Sequence, residues 1–278
     1  AANAVFSPDG RYVAGLAGTG DHHFELQLWD ARSRHRLTDI EKIAARRPYK
    51  PLFDGNNDLY AMNEQNEIIR YQIGARKTDV VYRQTGPEDF MLMGVSPNGR
   101  WLAVRQYNPE SVTLVASGEE QARFSFPASR DAITRILFSP DSRSALMLSL
   151  HDGRSVGQIF HLEDERPETR IPFELPKKIS GADFSPDGKY ILFSASTASA
   201  NRYRILDARS GSNRPLQTQG RFYDRVVFNP DGASIVAISD NGYAQASGKP
   251  LTLCRWRVCA ARSGKTTPTS RPTRPSGS

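Results

Sequence analysis

The stretch Val5-Phe6-Ser7-Pro8-Asp9-Gly10 begins with two apolar residues and ends in four residues that are typical of a tight turn. Proline fixes φ, aspartate tolerates the left-handed conformation and glycine adopts positive φ, so the stretch predicts a strand that ends in a hairpin turn. The residues that follow, Tyr12-Val13-Ala14, are again apolar and predict the second strand of that hairpin.

The same sequence motif recurs along the chain. Its other copies are Gly94-Val95-Ser96-Pro97-Asn98-Gly99, Leu137-Phe138-Ser139-Pro140-Asp141-Ser142, Asp183-Phe184-Ser185-Pro186-Asp187-Gly188, Val227-Phe228-Asn229-Pro230-Asp231-Gly232 and the degenerate Leu52-Phe53-Asp54-Gly55-Asn56-Asn57. When Ser7 is aligned with its counterparts, successive copies are separated by 47, 42, 43, 46 and 44 residues. A period in the forties is that of a four-stranded propeller blade.

Each repeat also predicts the order of its strands. The apolar run after the turn suits a strand that is covered on both faces. A later alternating run, such as residues 24–29, suits a strand that has one buried face and one face that is more exposed to solvent. The outermost strand is the least marked, and its candidates are Arg36-Leu37-Thr38, Asp79-Val80-Val81-Tyr82 and Arg123-Phe124-Ser125-Phe126.

The predicted fold class is therefore all-β, a β-propeller of about six four-stranded antiparallel blades. The blade units lie near residues 1–45, 46–88, 89–130, 131–176, 177–220 and 221–251, and residues 252–278 form a separate tail. We expect a closed six-bladed ring. Because the last repeat fails after Asn241, the alternative is an incomplete arc from a seven- or eight-bladed propeller.

The basic character of the chain is concentrated in the tail. The whole sequence has a net charge of +7, but residues 255–278 hold six basic residues and no acidic one, so residues 1–254 carry 31 basic and 30 acidic residues. The tail is rich in Arg, Thr, Ser and Pro, and we expect it to be disordered from about Ala260. Nucleic-acid binding would depend on this tail alone and is not expected.

Two features resemble the WD-repeat family over about residues 1–251: the phrase Phe-Ser-Pro-Asp-Gly followed by an apolar strand, and Leu28-Trp29-Asp30 at the end of the third strand. Only the first blade has the Trp-Asp pair, and no blade has the Gly-His pair of that family. Residues 185–194 are also similar to TolB-like bacterial propellers and to the propellers that cap prolyl-oligopeptidase-type hydrolases. The resemblance implies a binding platform, and a propeller alone does not fix function.

The sequence predicts no catalytic centre, cofactor or metal site. Gly94-Val95-Ser96-Pro97-Asn98 lacks the final glycine of a nucleophile elbow, and Ser263-Gly264-Lys265-Thr266 lacks the first glycine of a phosphate-binding loop. Asp21, His22, His23 and Glu25 form a dense group of metal-ligand types, but neighbouring residues of an extended chain point to opposite sides. We interpret that group as a solvated loop.

The predicted function is a non-enzymatic scaffold or sensor module that presents propeller loops to a protein or peptide partner. Binding residues are expected in the loops that join each blade to the next, because function commonly lies on loops held by a rigid scaffold and Arg and Tyr are enriched at hot spots. The candidates are Arg46, Arg47, Tyr49, Arg130, Lys177, Lys178, Arg221 and Tyr223. The alternative is a substrate-gating or capping propeller of a hydrolase whose catalytic domain lies outside this chain.

The cellular location and the assembly of the protein are predicted from its composition and from the resemblance. The mean hydropathy is −0.53, and no apolar run is long enough to cross a membrane. No leader is recognised, which favours the cytoplasm, whereas the TolB-like resemblance implies the periplasm as the alternative. We expect a monomer or part of a larger multidomain protein.

Overall fold

The computed structural model describes residues 4–20, 23–37, 44–45, 49–84, 90–107, 110–119, 122–127, 132–152, 154–163, 170–175, 179–195, 203–216, 225–232, 234–238, 244–246 and 260–261. Every regular element in these ranges is a β-strand, and the strands form six sheets of four strands each. Within the same ranges, no helix is long and apolar enough to cross a membrane. The all-β propeller predicted from the repeat is confirmed.

Each sheet is one blade, and its strands are called a, b, c and d in chain order. The blades are blade 1, β1 to β4 (Val5–Phe6, Tyr12–Gly20, His23–Asp30, Ala44–Ala45); blade 2, β5 to β8 (Leu52–Phe53, Leu59–Met62, Glu67–Gln72, Lys77–Arg83); blade 3, β9 to β12 (Phe90–Val95, Trp101–Tyr107, Glu110–Ala116, Ala122–Pro127); blade 4, β13 to β16 (Ala132–Phe138, Ser144–His151, Arg154–His161, Arg170–Leu175); blade 5, β17 to β20 (Ile179–Phe184, Tyr190–Ala195, Tyr203–Asp207, Asn213–Pro215); and blade 6, β21 to β24 (Arg225–Phe228, Ile235–Ile238, Ala244–Ala246, Ala260–Ala261).

Neighbouring strands of every blade are antiparallel, as consecutive strands joined by short turns must be. Of the predicted outer strands, Asp79–Tyr82 and Arg123–Phe126 lie within β8 and β12, which confirms them. In blade 1 the strand d of the sheet is Ala44–Ala45, and the predicted segment also pairs with strand c, since Arg36 bridges Trp29 and the Leu37 N–H donates to the Leu28 carbonyl over 2.7 Å; Thr38 lies outside the described residues. Alternation of polar and apolar residues alone does not specify which segment pairs with strand c.

Blade 6 takes its strand d from the segment that the sequence analysis assigned to the tail. Ala260–Ala261 pairs with β23, so at least these two residues belong to the sixth sheet. The rest of residues 252–278 lies outside the described residues, and the predicted domain boundaries stay predictions.

Within the described ranges, the core consists of five apolar clusters, and each lies between two consecutive blades. One cluster joins blades 3 and 4 through Trp101, Phe124 and Phe160, and another joins blades 4 and 5 through Leu148 and Phe193. The other three join blades 1 and 2, blades 2 and 3, and blades 5 and 6. Among the described residues, none of these clusters joins blade 6 to blade 1, and the closed ring and the incomplete arc both stay predictions.

Candidate binding site at the turn face

The turns between strands a and b lie at one end of the blades, which we call the turn face. They consist of residues 7–10, 54–57, 96–99, 139–142, 185–188 and 229–232. Four of the six contribute lining residues to a common cavity of about 340 Å³, and blade 5 contributes the last two residues of its strand a. The cavity is lined by Pro8, Phe53, Asp54, Gly55, Val95, Pro97, Leu137, Phe138, Pro140, Asp183 and Phe184.

The turns hold this cavity in a fixed shape through one repeated set of hydrogen bonds. In blade 5 the buried Ser185 hydroxyl donates to Asp187 Oδ1 over 2.6 Å and accepts the backbone N–H of Tyr190 over 2.9 Å. Blades 1 and 4 repeat both bonds from Ser7 and Ser139 at the same distances. The repeated serine is therefore an anchor of the turn, which explains its burial.

Three prolines of the turns, Pro8, Pro97 and Pro140, line the cavity, and apolar side chains supply most of the remaining lining. Pro8 and Pro140 are exposed, whereas Phe53 and Phe138 are partly buried because they also pack against inter-blade clusters. A concave and mainly apolar surface with few polar groups is typical of ligand sites, whose volumes begin near ~300 Å³. The cavity matches the lower end of that range and suits one large apolar group.

Two carboxylates complete the lining, and they differ in access. Asp183 is exposed to solvent. Asp54 is only 2% exposed, and its carboxylate accepts the backbone N–H groups of Asn56 and Asp58, each over 2.9 Å. Burial raises the pKa of Asp54 above its ordinary value, although these hydrogen bonds oppose that change. Asp183 is therefore the carboxylate that a ligand in the cavity can reach.

Asp54 belongs to a polar network in blade 2. Tyr60 Oη donates to Asp54 Oδ2 over 3.2 Å, and Arg70 pairs with Asp79 over 3.3 Å. Burial, followed by the negative charge of Asp54, raises the pKa of Tyr60, so the phenol stays protonated at neutral pH. In this blade an aspartate stands where others have serine, and its carboxylate performs the anchoring role of the serine hydroxyl. We interpret the network as structural.

Of the predicted partner-binding residues, only Tyr49 lies in the part of the chain that the structure describes. Its side chain is partly buried and packs against the cluster between blades 2 and 3. The other seven candidates lie outside the described residues, namely Arg46, Arg47, Arg130, Lys177, Lys178, Arg221 and Tyr223. The predicted site on the loops that join each blade to the next, which we call the loop face, therefore stays a prediction.

Sequence reasoning missed the turn-face cavity. The signal was present, because an apolar residue precedes the turn in every repeat and a proline follows in five of six. Within a single repeat, those residues predict only a strand and a turn. Their convergence on one cavity depends on how the blades are arranged around a common centre, and no single repeat contains that information.

Comparison with known proteins supports the fold. No family model matches the chain, and no curated protein matches it. Among solved structures, a hydrazine synthase chain from Kuenenia stuttgartiensis matches with 15% identity and a TM-score of 0.56, over 88% of this chain and 75% of that one. A Lactobacillus plantarum protein matches with 14% identity and a TM-score of 0.57, over 93% of this chain and 83% of that one.

A third similar structure comes from Bacteroides uniformis and is described as a candidate 6-phosphogluconolactonase. It matches with 13% identity and a TM-score of 0.51, over 92% of this chain and 82% of that one. These structural neighbours are β-propellers, and identities this low show the fold alone.

Proposed function

We propose that this propeller is a non-enzymatic binding module whose turn-face cavity receives a peptide segment of a protein partner. The cavity of about 340 Å³ between five blades carries the proposal, because it joins an apolar lining to a rim of fixed turns. Preformed concave sites on rigid scaffolds bind with a small loss of conformational entropy. The WD-like resemblance supports the same class of function.

The lining defines the chemistry of the peptide. Phe53, Phe138 and Leu137 favour a large apolar side chain, and the exposed carboxylate of Asp183 at the same cavity favours a neighbouring Lys or Arg. A segment in which an aromatic or leucine side chain stands beside a basic residue satisfies both requirements. Opposite charges across an interface mainly give specificity, while the apolar group supplies most of the affinity.

Binding is preferred over catalysis because of the ionisable groups of this cavity. Among the described residues that line it, these groups are Asp54 and Asp183, and Asp54 is held by two backbone N–H groups and Tyr60. Hydrolysis needs a nucleophile or activated water together with a positioned acid or base. We therefore expect no lactone hydrolysis with 6-phosphogluconolactone. Turnover that depends on Asp183 would contradict a non-enzymatic role.

The experiment compares one charge reversal in the cavity with one outside it. Peptides with a central Trp, Phe or Leu flanked by Lys or Arg are titrated against the full chain, and the same peptides flanked by Glu serve as the ligand control. Asp183→Lys should weaken binding of the basic set ~5-fold, since an exposed charge pair contributes about 1 kcal/mol or less. The matched variant is Glu163→Lys, because Glu163 is exposed in blade 4 and does not line the cavity.

The loop face gives the competing outcome. If Arg46→Glu, Arg47→Glu and Lys178→Glu together abolish peptide binding while Asp183→Lys leaves it unchanged, the partner binds the loop face and the turn-face proposal is wrong. A wild-type chain that binds none of the peptides would also contradict the proposal.

A further inference from the structure

The turns of blades 2 to 6 form a ladder of contacts, in which each turn contacts the preceding blade. The residue in fourth position makes this contact: Asn57 Oδ1 accepts the N–H of Asp9 over 3.3 Å, and Ser142 Oγ accepts the N–H of Asn98 over 2.9 Å. Glycines at this position come equally close, since a Cβ on Gly188 would lie 3.7 Å from Pro140 and one on Gly232 would lie 3.8 Å from Pro186.

Blade 3 follows the same rule, because a Cβ on Gly99 would lie 2.6 Å from Asp54 Oδ2 and from Tyr60 Oη of blade 2. Blade 1 breaks it. Gly10 has the same φ as Gly99, +70° against +69°, but no heavy atom of the described residues lies within 4 Å of its Cβ position. A recess of about 500 Å³, lined by Asp9, Gly10, Arg11, Asp30 and Arg32, opens at this point.

A second ladder, in strand a, shows the same break. The apolar residue before each turn packs against the cluster shared with the preceding blade; these residues are Phe53, Val95, Phe138, Phe184 and Phe228. Phe184 and Phe228 are each 8% exposed, whereas Phe6 at the equivalent position is 69% exposed. A large apolar side chain in this position is left in water only in blade 1.

A third set of equivalent positions, in strands b and c, shows the same difference between blade 1 and the other blades. The counterparts of Val13 are all buried, namely Leu59, Leu102, Ala145, Ile191 and Ile235. Trp29 pairs with Val13, and the residues that pair with four of these counterparts are also buried, namely Tyr71, Val115, Phe160 and Leu206. Val13 and Trp29 themselves are only partly buried.

We propose that Phe6, Val13 and Trp29 form the docking surface for a further four-stranded blade with the chemistry of this repeat. This surface, which we call the open face, continues the five inter-blade interfaces that the structure already contains. The docking blade presents alternating apolar side chains from its strands b and c, as Leu192 and Ile205 do toward Phe228 and Ile235. Its turn fills the recess beside Gly10, in the place that Pro186 takes beside Gly232.

The chemistry of the open face favours a blade over an unrelated partner. Three apolar residues are aligned in the register of a blade interface, and the positive φ of Gly10 shapes a turn ready to continue the ladder. Exposed apolar surface that is rimmed by polar residues marks interaction sites. Here Arg11, Asp30 and Arg32 supply that rim.

The proposal is tested by extending the full chain with a blade whose interface is known. Residues 177–222 are duplicated and joined to Ala1, which reproduces the spacing between Ser185 and Asn229 in the new junction. We expect the thermal midpoint to rise by ~3 °C or more. In a Trp256→Phe background, acrylamide quenching of tryptophan fluorescence should fall, because Trp29 becomes covered while Trp101 is already buried.

The matched control is the same extension with Leu192→Glu and Ile205→Glu in the added copy only, and it should change neither quantity. A second extension, residues 131–178 joined to Ala1, guards against an added blade that does not fold. If neither extension raises the midpoint or protects Trp29, the proposal is wrong.

A second copy of the chain is the competing occupant. If the unextended chain is a dimer by light scattering at micromolar concentration, and Phe6→Glu makes it monomeric, the open face binds another copy and the proposal is overturned. A monomer whose open face is covered only in the extended chain supports the proposal. If the docking proposal fails, the proposed peptide site in the turn-face cavity is unaffected, because Phe6 and Trp29 do not line that cavity.

Discussion

Gly10 and Gly99 occupy the same position in two turns and differ only in what surrounds them. Both have positive φ, which a residue with a side chain adopts at a cost of roughly 1–2 kcal/mol. A Cβ at Gly99 would also lie 2.6 Å from the side chains of Asp54 and Tyr60, whereas the described residues leave open space at Gly10. Substitutions at these two glycines therefore distinguish the cost of backbone strain from the cost of a steric clash.

The first prediction uses this pair. Gly10→Ala should lower the free energy of unfolding by about 1 kcal/mol, since it introduces backbone strain alone. Gly99→Ala should lower it by about 3 kcal/mol or more, because it adds a clash with a buried network. Urea unfolding of both variants checks this, and equal losses would show that the space around the two glycines does not differ in solution.

Asp54 gives a second prediction at the scale of one residue. Burial raises the pKa of its carboxyl, so the stability that it contributes is fully present below the pKa of the unfolded chain, about 3.9, and is lost as pH rises through the folded value. Asp54→Asn keeps an oxygen for the N–H groups of Asn56 and Asp58 and removes the titration. Relative to wild type, the variant should therefore become more stable as pH rises from 4 to 7.

Urea unfolding at several pH values measures this difference, and effects of the substitution that do not depend on pH cancel. Asp9→Asn is the control with the opposite sign, because hydrogen bonds from Ser7 and from the backbone N–H of Arg11 lower the pKa of Asp9. The free energy of unfolding of wild type should therefore increase relative to that of Asp9→Asn as pH rises through the acid range. The same sign for both variants would contradict the assignment.

At the scale of the element, the turn of blade 4 shows how a departure from the repeat is compensated. Ser142 stands where four of the six repeats have glycine, and it has a φ of +61°. Its hydroxyl accepts the N–H of Asn98 from the turn of blade 3 over 2.9 Å. The strained residue thus gains a hydrogen bond between blades, a contact that glycine at this position could not make.

The prediction for this turn compares two substitutions. Ser142→Gly removes both the strain and the hydrogen bond, each about 1 kcal/mol, so the free energy of unfolding should change little. Ser142→Ala keeps the strain and leaves the N–H of Asn98 without its acceptor, so it should be less stable than the glycine variant by about 1–2 kcal/mol. An alanine variant as stable as the glycine variant would show that the hydrogen bond contributes nothing.

At the scale of the whole molecule, Phe6, Val13 and Trp29 of blade 1 make up the surface that we propose as the open face. The last blade also has a less covered surface, because Val236 is partly buried while its counterpart Leu146 in blade 4 is fully buried. Propeller blades are stabilised by stacking on their neighbours, so each inter-blade cluster contributes to every blade that it joins. Equivalent residues should therefore differ in their contribution to stability according to the blade that they belong to.

Phe6 and Phe184 test this at equivalent positions. Phe184→Ala empties a site between blades 4 and 5 and should lower the free energy of unfolding by about 3–5 kcal/mol. Phe6→Ala changes a side chain that is 69% exposed and should have an effect within about 0.5 kcal/mol. Chemical unfolding of the two variants at low protein concentration decides this, and a large loss for Phe6→Ala would mean that the open face is covered in solution.

Much of this fold follows from local chemistry. Ser-Pro-Asp-Gly specifies a turn through its own hydrogen bonds and φ preferences, and the period of the repeat specifies four strands per blade, so the sequence alone was sufficient for both. The outer strand of blade 1, whose described residues Ala44–Ala45 lie beyond the predicted segment, marks the limit of such reasoning. Strand d has few turn signals and little alternation, and its pairing is decided by contacts with strand c.

The turn-face cavity, the network of Asp54 and the open face were decided only by tertiary structure. Phe6 and Phe184 stand in nearly identical local sequences, yet one is exposed and the other buried. The physical reason is that a blade buries its faces against other blades, and the neighbour of each face is set by distant parts of the chain. Local sequence encodes the blade, whereas the arrangement of blades determines which of its surfaces remain free to bind.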